Sequence, residues 1–278
     1  MLLAFTALAA GLTGCGDGGV SKSAFLAKAD AACTTGAVPA VAAPSSLPEL
    51  AAGAGGLAGA VDSQVAALRA LKAPGDDTAA VAGLIAALAA VGEQGRTLQD
   101  AAARTDDPAT AHAANNLKGT AEAASAQAQA YGLGTCGKAL EAPVATLVDG
   151  GRTVLRAAFV ARADALCTAA NRKVDALAAP GSLASTARYL AAYLPIEEKL
   201  FADIRALTAP PGDDSAIADM LASQDKVIAK DRELLGAAQR RSQAELDRLD
   251  IEELALVTAA NAAFDAYNLR SCGTLSAF

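Results

Sequence analysis

Ala24-Phe25-Leu26-Ala27-Lys28-Ala29-Asp30-Ala31-Ala32-Cys33 returns 134 positions later as Ala158-Phe159-Val160-Ala161-Arg162-Ala163-Asp164-Ala165-Leu166-Cys167. Two further landmarks follow in the same order. Leu71-Lys72-Ala73-Pro74-Gly75-Asp76-Asp77 returns as Leu207-Thr208-Ala209-Pro210-Pro211-Gly212-Asp213-Asp214, and Tyr131-Gly132-Leu133-Gly134-Thr135-Cys136-Gly137 as Tyr267-Asn268-Leu269-Arg270-Ser271-Cys272-Gly273. Three landmarks at a nearly constant offset mark one module written twice, a pattern that decides the architecture before any single element does. The copies are expected at 22–137 and 153–274, with 138–152 as a short connector that contains Pro143 and Asp149-Gly150-Gly151.

Working outward, the second copy carries apolar residues at three- and four-residue steps, the signature of amphipathic helices. Phe159, Ala163, Leu166, Ala170, Val174 and Leu177 line a first helix; Leu183, Ala187, Leu190, Leu194, Phe201 and Ile204 line a second. Pro195 should kink or interrupt the second, because it removes a backbone donor and crowds the preceding turn. Met220/Leu221, Val227/Ile228 and Leu234/Leu235 recur every seven residues in a third helix, a stripe suited to near-antiparallel packing. Leu254, Val257, Phe264 and Tyr267 mark a fourth. The first copy repeats the plan with Leu50, Leu57, Val61 and Leu68, then Val81, Leu84, Ile85, Leu88 and Leu98, then Ala113, Leu117, Ala121, Ala124 and Ala128. Gly53, Gly55, Gly56 and Gly59 in its second helix each cost on the order of 1 kcal/mol against alanine, so the first copy is expected to be the less stable. The fold class is therefore all-α: two tandem disulfide-closed four-helix bundles.

Composition supports that class. Of 278 residues 76 are alanine, the best helix former, and only 4% are aromatic, so a strand-built fold is disfavoured. The net charge of -7 and the absence of a basic run argue against nucleic acid as a partner. From Thr78 to Gly92 the chain is uncharged and apolar, but it is shorter than a bilayer span and is expected to be a buried bundle helix.

The first residues speak to location. An uncharged apolar run, Leu2 to Leu12, precedes Leu12-Thr13-Gly14-Cys15 and then the polar Gly16-Asp17-Gly18-Gly19. This layout predicts a secretory signal over 1–14 and a flexible tether over 15–21. The Leu-Thr-Gly-Cys run resembles the lipobox of bacterial lipoproteins. That resemblance implies that Cys15 carries a diacylglyceryl group, becomes the mature N-terminus and anchors the chain to the outer face of the cell membrane. No Lys or Arg precedes the run, although such signals open with positive charge; a start upstream of Met1 is expected.

With Cys15 assigned to lipid, four cysteines remain, and repetition selects one of three connectivities. Each copy has a cysteine in its first helix and another beyond its fourth, so Cys33–Cys136 and Cys167–Cys272 should each staple one bundle, in an oxidising compartment. A four-thiolate zinc site is the weaker reading, since no Cys-x-x-Cys brings two ligands together.

Chemistry-bearing groups are sparse. His112 is the single histidine and should be a solvated helix residue, which leaves no constellation for nucleophilic or histidine-based catalysis. Asp76-Asp77 and Asp213-Asp214 are read as helix caps rather than calcium ligands. Asp30 and Asp164 are expected to be exposed, and Tyr131 and Tyr267 are candidate ligand contacts at the bundle ends.

The Phe-x-x-x-Ala-Asp-Ala-x-Cys opening and the Tyr-x-Leu-x-x-Cys-Gly close resemble uncharacterised secreted or lipid-anchored helical proteins of high-GC Gram-positive bacteria. The expected function is that of a non-catalytic envelope lipoprotein, without a resident cofactor, whose paired bundles bind a protein partner or small ligand outside the membrane. A carrier of a hydrophobic ligand or haem between helices is the alternative, and an extracytoplasmic hydrolase is a third reading.

Overall fold

The structure, a computed structural model, describes residues 20–35 and 40–273, so Cys15 and the segment 1–14 lie outside the described residues. It is all-α, with eight α-helices among those residues: α1 (Lys22–Thr35), α2 (Leu47–Arg69), α3 (Thr78–Ala103), α4 (Asp107–Tyr131), α5 (Gly134–Asp175), α6 (Leu183–Arg205), α7 (Asp214–Gln239) and α8 (Gln243–Ala266). Their starts follow local chemistry. Ser46 and Ser182 accept the first free backbone N–H groups of α2 and α6, and Ser182 and Ser185 form a reciprocal capping box.

The expected connector is not a connector. Residues 138–152 lie inside α5, a single helix of 42 residues that ends the first copy and begins the second. Pro143, Gly150 and Gly151 read as breakers in sequence, but all three are buried helical positions. A Cβ on Gly150 would lie 2.2 Å from Pro44 Cδ, and one on Gly151 would lie 3.3 Å from Leu50 Cδ2. Those glycines admit Pro44, just before α2, and Leu50 within α2, instead of turning the backbone. Pro195 likewise sits within α6 without ending it.

The first half of α5 completes the first copy. Leu140, Val144, Leu147 and Val148 join one continuous apolar core with Phe25, Leu50, Leu57, Val61, Leu84, Leu88, Leu98 and Leu117. Close approach of α2 to α3 and of α4 to α5 depends on glycine: a Cβ on Gly95 would meet Ala54 O at 3.2 Å, and one on Gly137 would meet Ser125 O at 2.9 Å. The helix α3 is long and apolar enough to cross a bilayer by length and composition. Here Val81, Leu84, Leu88, Val91 and Leu98 turn into the protein core, and α3 packs between α2 and α4.

The second copy consists of the second half of α5 with α6, α7 and α8. No counterpart of the covering helix 134–151 follows α8 among the described residues. Instead of one core it has two. Phe159, Cys167, Phe201, Ile204, Met220, Ile228 and Phe264 cluster toward the disulfide end, whereas Leu190, Tyr193, Leu234, Leu246 and Leu249 cluster toward the other. On α8 the stripe is shifted from expectation: Leu254 is 68% exposed, and the acidic neighbour Glu253 takes the buried position.

Candidate functional site: a carboxyl layer in the second bundle

The four cysteines repeated between the copies pair as the repetition requires. Cys33 is bonded to Cys136 and Cys167 to Cys272, with Cα atoms 5.1 and 5.0 Å apart. Around each bond the two copies build the same end structure. Tyr131 packs edge-on against Phe25, and its hydroxyl donates to Asp77 at 3.1 Å beneath the ammonium of Lys22. Tyr267 packs edge-on against Phe159 and donates to Asp213 at 2.6 Å beneath the guanidinium of Arg156. Burial and the acceptor carboxylate push both phenols up from their ordinary range.

These contacts correct the reading of the turn aspartates. Asp77 and Asp213 occupy the helix-start positions of α3 and α7, yet neither side chain makes a capping hydrogen bond. They receive tyrosine and a cation instead, and so tie the third helix of each copy to the first and last. Tyr131 and Tyr267 are therefore committed to the bundle ends, with their hydroxyls already donating. Asp164, expected to be exposed, accepts the backbone N–H of Ser271 at 3.0 Å and holds the closing turn beside Cys272. Asn171 reinforces that turn by donating to Ser271 O at 3.0 Å. His112 lies near Asn116 on the surface of α4, at 3.0 Å.

Sequence reasoning missed a polar layer between the two apolar cores of the second copy. Glu197 from α6, Gln224 and Asp231 from α7, and Glu253 from α8 are all buried, Glu197 and Asp231 completely. Gln224 Nε2 donates to Glu197 Oε1 at 2.7 Å, and Tyr193 from α6 is buried in the same region. Asp231 interacts electrostatically with both Glu197 and Glu253. No N–H or hydroxyl donor reaches either Oδ of Asp231, or Oε2 of Glu197. The carboxyls can therefore be joined only through protons that they carry themselves.

Burial, the largest cause for all three, drives their titration upward: Glu197 to about 7, and Asp231 and Glu253 to about 8. Glu197 is raised least because Asp231, Gln224 and Tyr193 all donate to its charged form, and Asp231 is raised further by Glu197 itself. Tyr193 is pushed up as well, chiefly by burial. Among the described residues no three His, Cys, Asp or Glu side chains are arranged to hold a metal ion.

The first copy provides an internal control. At a spacing of 136 residues, Tyr193, Glu197, Gln224, Asp231 and Glu253 correspond to Leu57, Val61, Leu88, Gly95 and Leu117. The four larger of these are fully buried members of the continuous core. The same scaffold closes at these positions with hydrocarbon and glycine, so the fold does not require the polar layer. A neighbouring difference has the same direction. Gly53, where Leu147 of the covering helix packs, corresponds to Tyr189, whose ring stacks on Tyr193 at 6.0 Å. Comparison with protein-family models, with curated proteins and with solved structures found no match to this chain.

Proposed function

We propose that the chain is a non-catalytic lipoprotein of the outer face of the bacterial cell membrane, anchored through lipid on Cys15. Its first bundle acts as a scaffold, and its second bundle engages an envelope protein or small ligand. The observation that carries the division of labour is the polar layer of the second module, at positions where the first module buries leucine, valine and glycine. Burying carboxyl groups where a twin module buries leucine and valine opposes folding, because each group loses its hydration. A feature that opposes folding and is absent from the twin is retained for some other role. The outward surface agrees: among the described residues, Ile251 and Leu254, both on α8, are the large hydrophobic side chains most open to solvent, at 74% and 68%.

Two measurements test the reading. Replacing Cys15 with serine should release the protein from the membrane fraction and abolish incorporation of labelled fatty acid; retention on the membrane would remove the anchor from the account. A photo-reactive residue placed at 254 should give a discrete adduct in intact cells, and one at the equivalent position 118 should not. Equal labelling at both positions would overturn the assignment of binding to the second bundle.

A further inference from the structure

We propose that Glu197, Asp231 and Glu253 form a proton-binding site that controls the packing of the second bundle. While protonated, they join α6, α7 and α8 through carboxyl-to-carboxyl hydrogen bonds; when the shared protons leave, they drive the same helices apart. The proposal depends on neither the lipid anchor nor the identity of a partner.

Three independent observations support it. The first is geometric: one acidic group from each of three helices meets in a layer with apolar core on both sides, where water cannot solvate a charge. The second is the unsatisfied state of Asp231, fully buried between two other acids with no N–H or hydroxyl donor to either oxygen. A proton held between the carboxyls supplies the hydrogen-bond donor that no neighbouring N–H or hydroxyl gives to these oxygens. The third is the first copy, which shows that the scaffold packs without these groups.

Among the described residues no cation acts on the layer. From α6 the layer is faced by Tyr189, Tyr193 and Glu197, from α7 by Gln224 and Asp231, and from α8 by Asp250 and Glu253; Asp175 of α5 acts on Tyr189. The nearby Lys230 is directed to Glu233 and Glu252, and Arg232 to Glu198. Ionisation of the layer therefore leaves like charges close together in a medium that screens them poorly, a situation resolved either by retaining protons or by separating the helices. The folded state holds protons that the unfolded chain releases, so unfolding in the neutral range sets protons free. By linkage, the unfolding equilibrium constant rises about tenfold per pH unit for each proton so retained.

Carbon-13 NMR of the full-length, disulfide-intact protein labelled at Asp and Glu carboxyls tests the site directly. Glu197, Asp231 and Glu253, assigned through Asp231→Asn and Glu253→Gln, should titrate as a coupled set well above the other carboxyls, and each substitution should shift the remaining two. Titration of all three within the ordinary carboxylate range would overturn the proposal. In parallel, the wild-type unfolding midpoint followed by circular dichroism should fall from about pH 5 to about pH 9. The doubly substituted D231N/E253Q chain should show a flatter profile, and a flat or rising wild-type profile would also overturn it. Should the double variant fail to fold, the wild-type carboxyl titration decides alone.

Discussion

Asp77 and Asp213 show how one residue type takes different work from its neighbours. Each follows a proline-glycine turn and begins a helix, where an aspartate normally accepts the free backbone N–H groups. In both copies a tyrosine hydroxyl and a cation reach the carboxylate first, and the partner comes from 54 residues away in sequence. A local rule cannot anticipate such a competitor. Replacing Tyr267 with phenylalanine removes one hydrogen bond to a carboxylate that is only 17% exposed and should destabilise the protein by about 1 kcal/mol. That corresponds to a drop of about 2–4 °C in the unfolding midpoint, measurable by calorimetry. Tyr131→Phe should cost less, because Asp77 is more exposed and water can replace the lost donor.

At the scale of elements, the glycines of α2 divide into two kinds. Gly56 and Gly59 face open space, so alanine at either should stabilise the helix by up to about 1 kcal/mol. Gly53 meets the buried Leu147 and so is needed for close packing, whereas at Gly55 only the flexible end of Gln99 would have to move. Gly137 is stricter still. Alanine there would press on the backbone oxygen of Ser125, and separating α4 from α5 should destabilise by about 1–3 kcal/mol. Denaturant titration of Gly59→Ala beside Gly137→Ala should give shifts of opposite sign; shifts of the same sign would show that helix approach does not govern these positions. The continuity of α5 has a related cause. Its Pro143 and Gly150-Gly151 resemble a linker by composition, yet the groove between α2 and α4 buries that segment and keeps it helical.

Across the whole molecule, two staples and one polar layer set how stability responds to conditions. Each disulfide closes a loop of more than 100 residues, and replacing either cysteine pair with serine should destabilise its bundle by about 4–5 kcal/mol in the chain-entropy model. The pH response should differ between copies. Carboxyls whose titration lies higher in the folded than in the unfolded chain stabilise below their ordinary range and lose that contribution as pH rises through about 7 to 8. Hydrogen exchange resolved along the chain should thus show α6, α7 and α8 losing protection with rising pH relative to α2, α3 and α4. The duplication, the helical class, the cysteine partners and most of the first copy's core were legible in sequence, since alanine content, landmark order and apolar period are local quantities that survive without coordinates. Glu197, Asp231 and Glu253 were not legible: on α7 and α8 the period alone does not say which of two adjacent columns turns inward, and solvated acids look the same in a sequence as buried ones. Tertiary structure decided that Glu253 rather than Leu254 points to the core, that residues 138–152 continue a helix, and that the turn aspartates bind tyrosine. In each case the deciding quantity was which distant surface arrived to exclude water, and that is a property of the assembled fold.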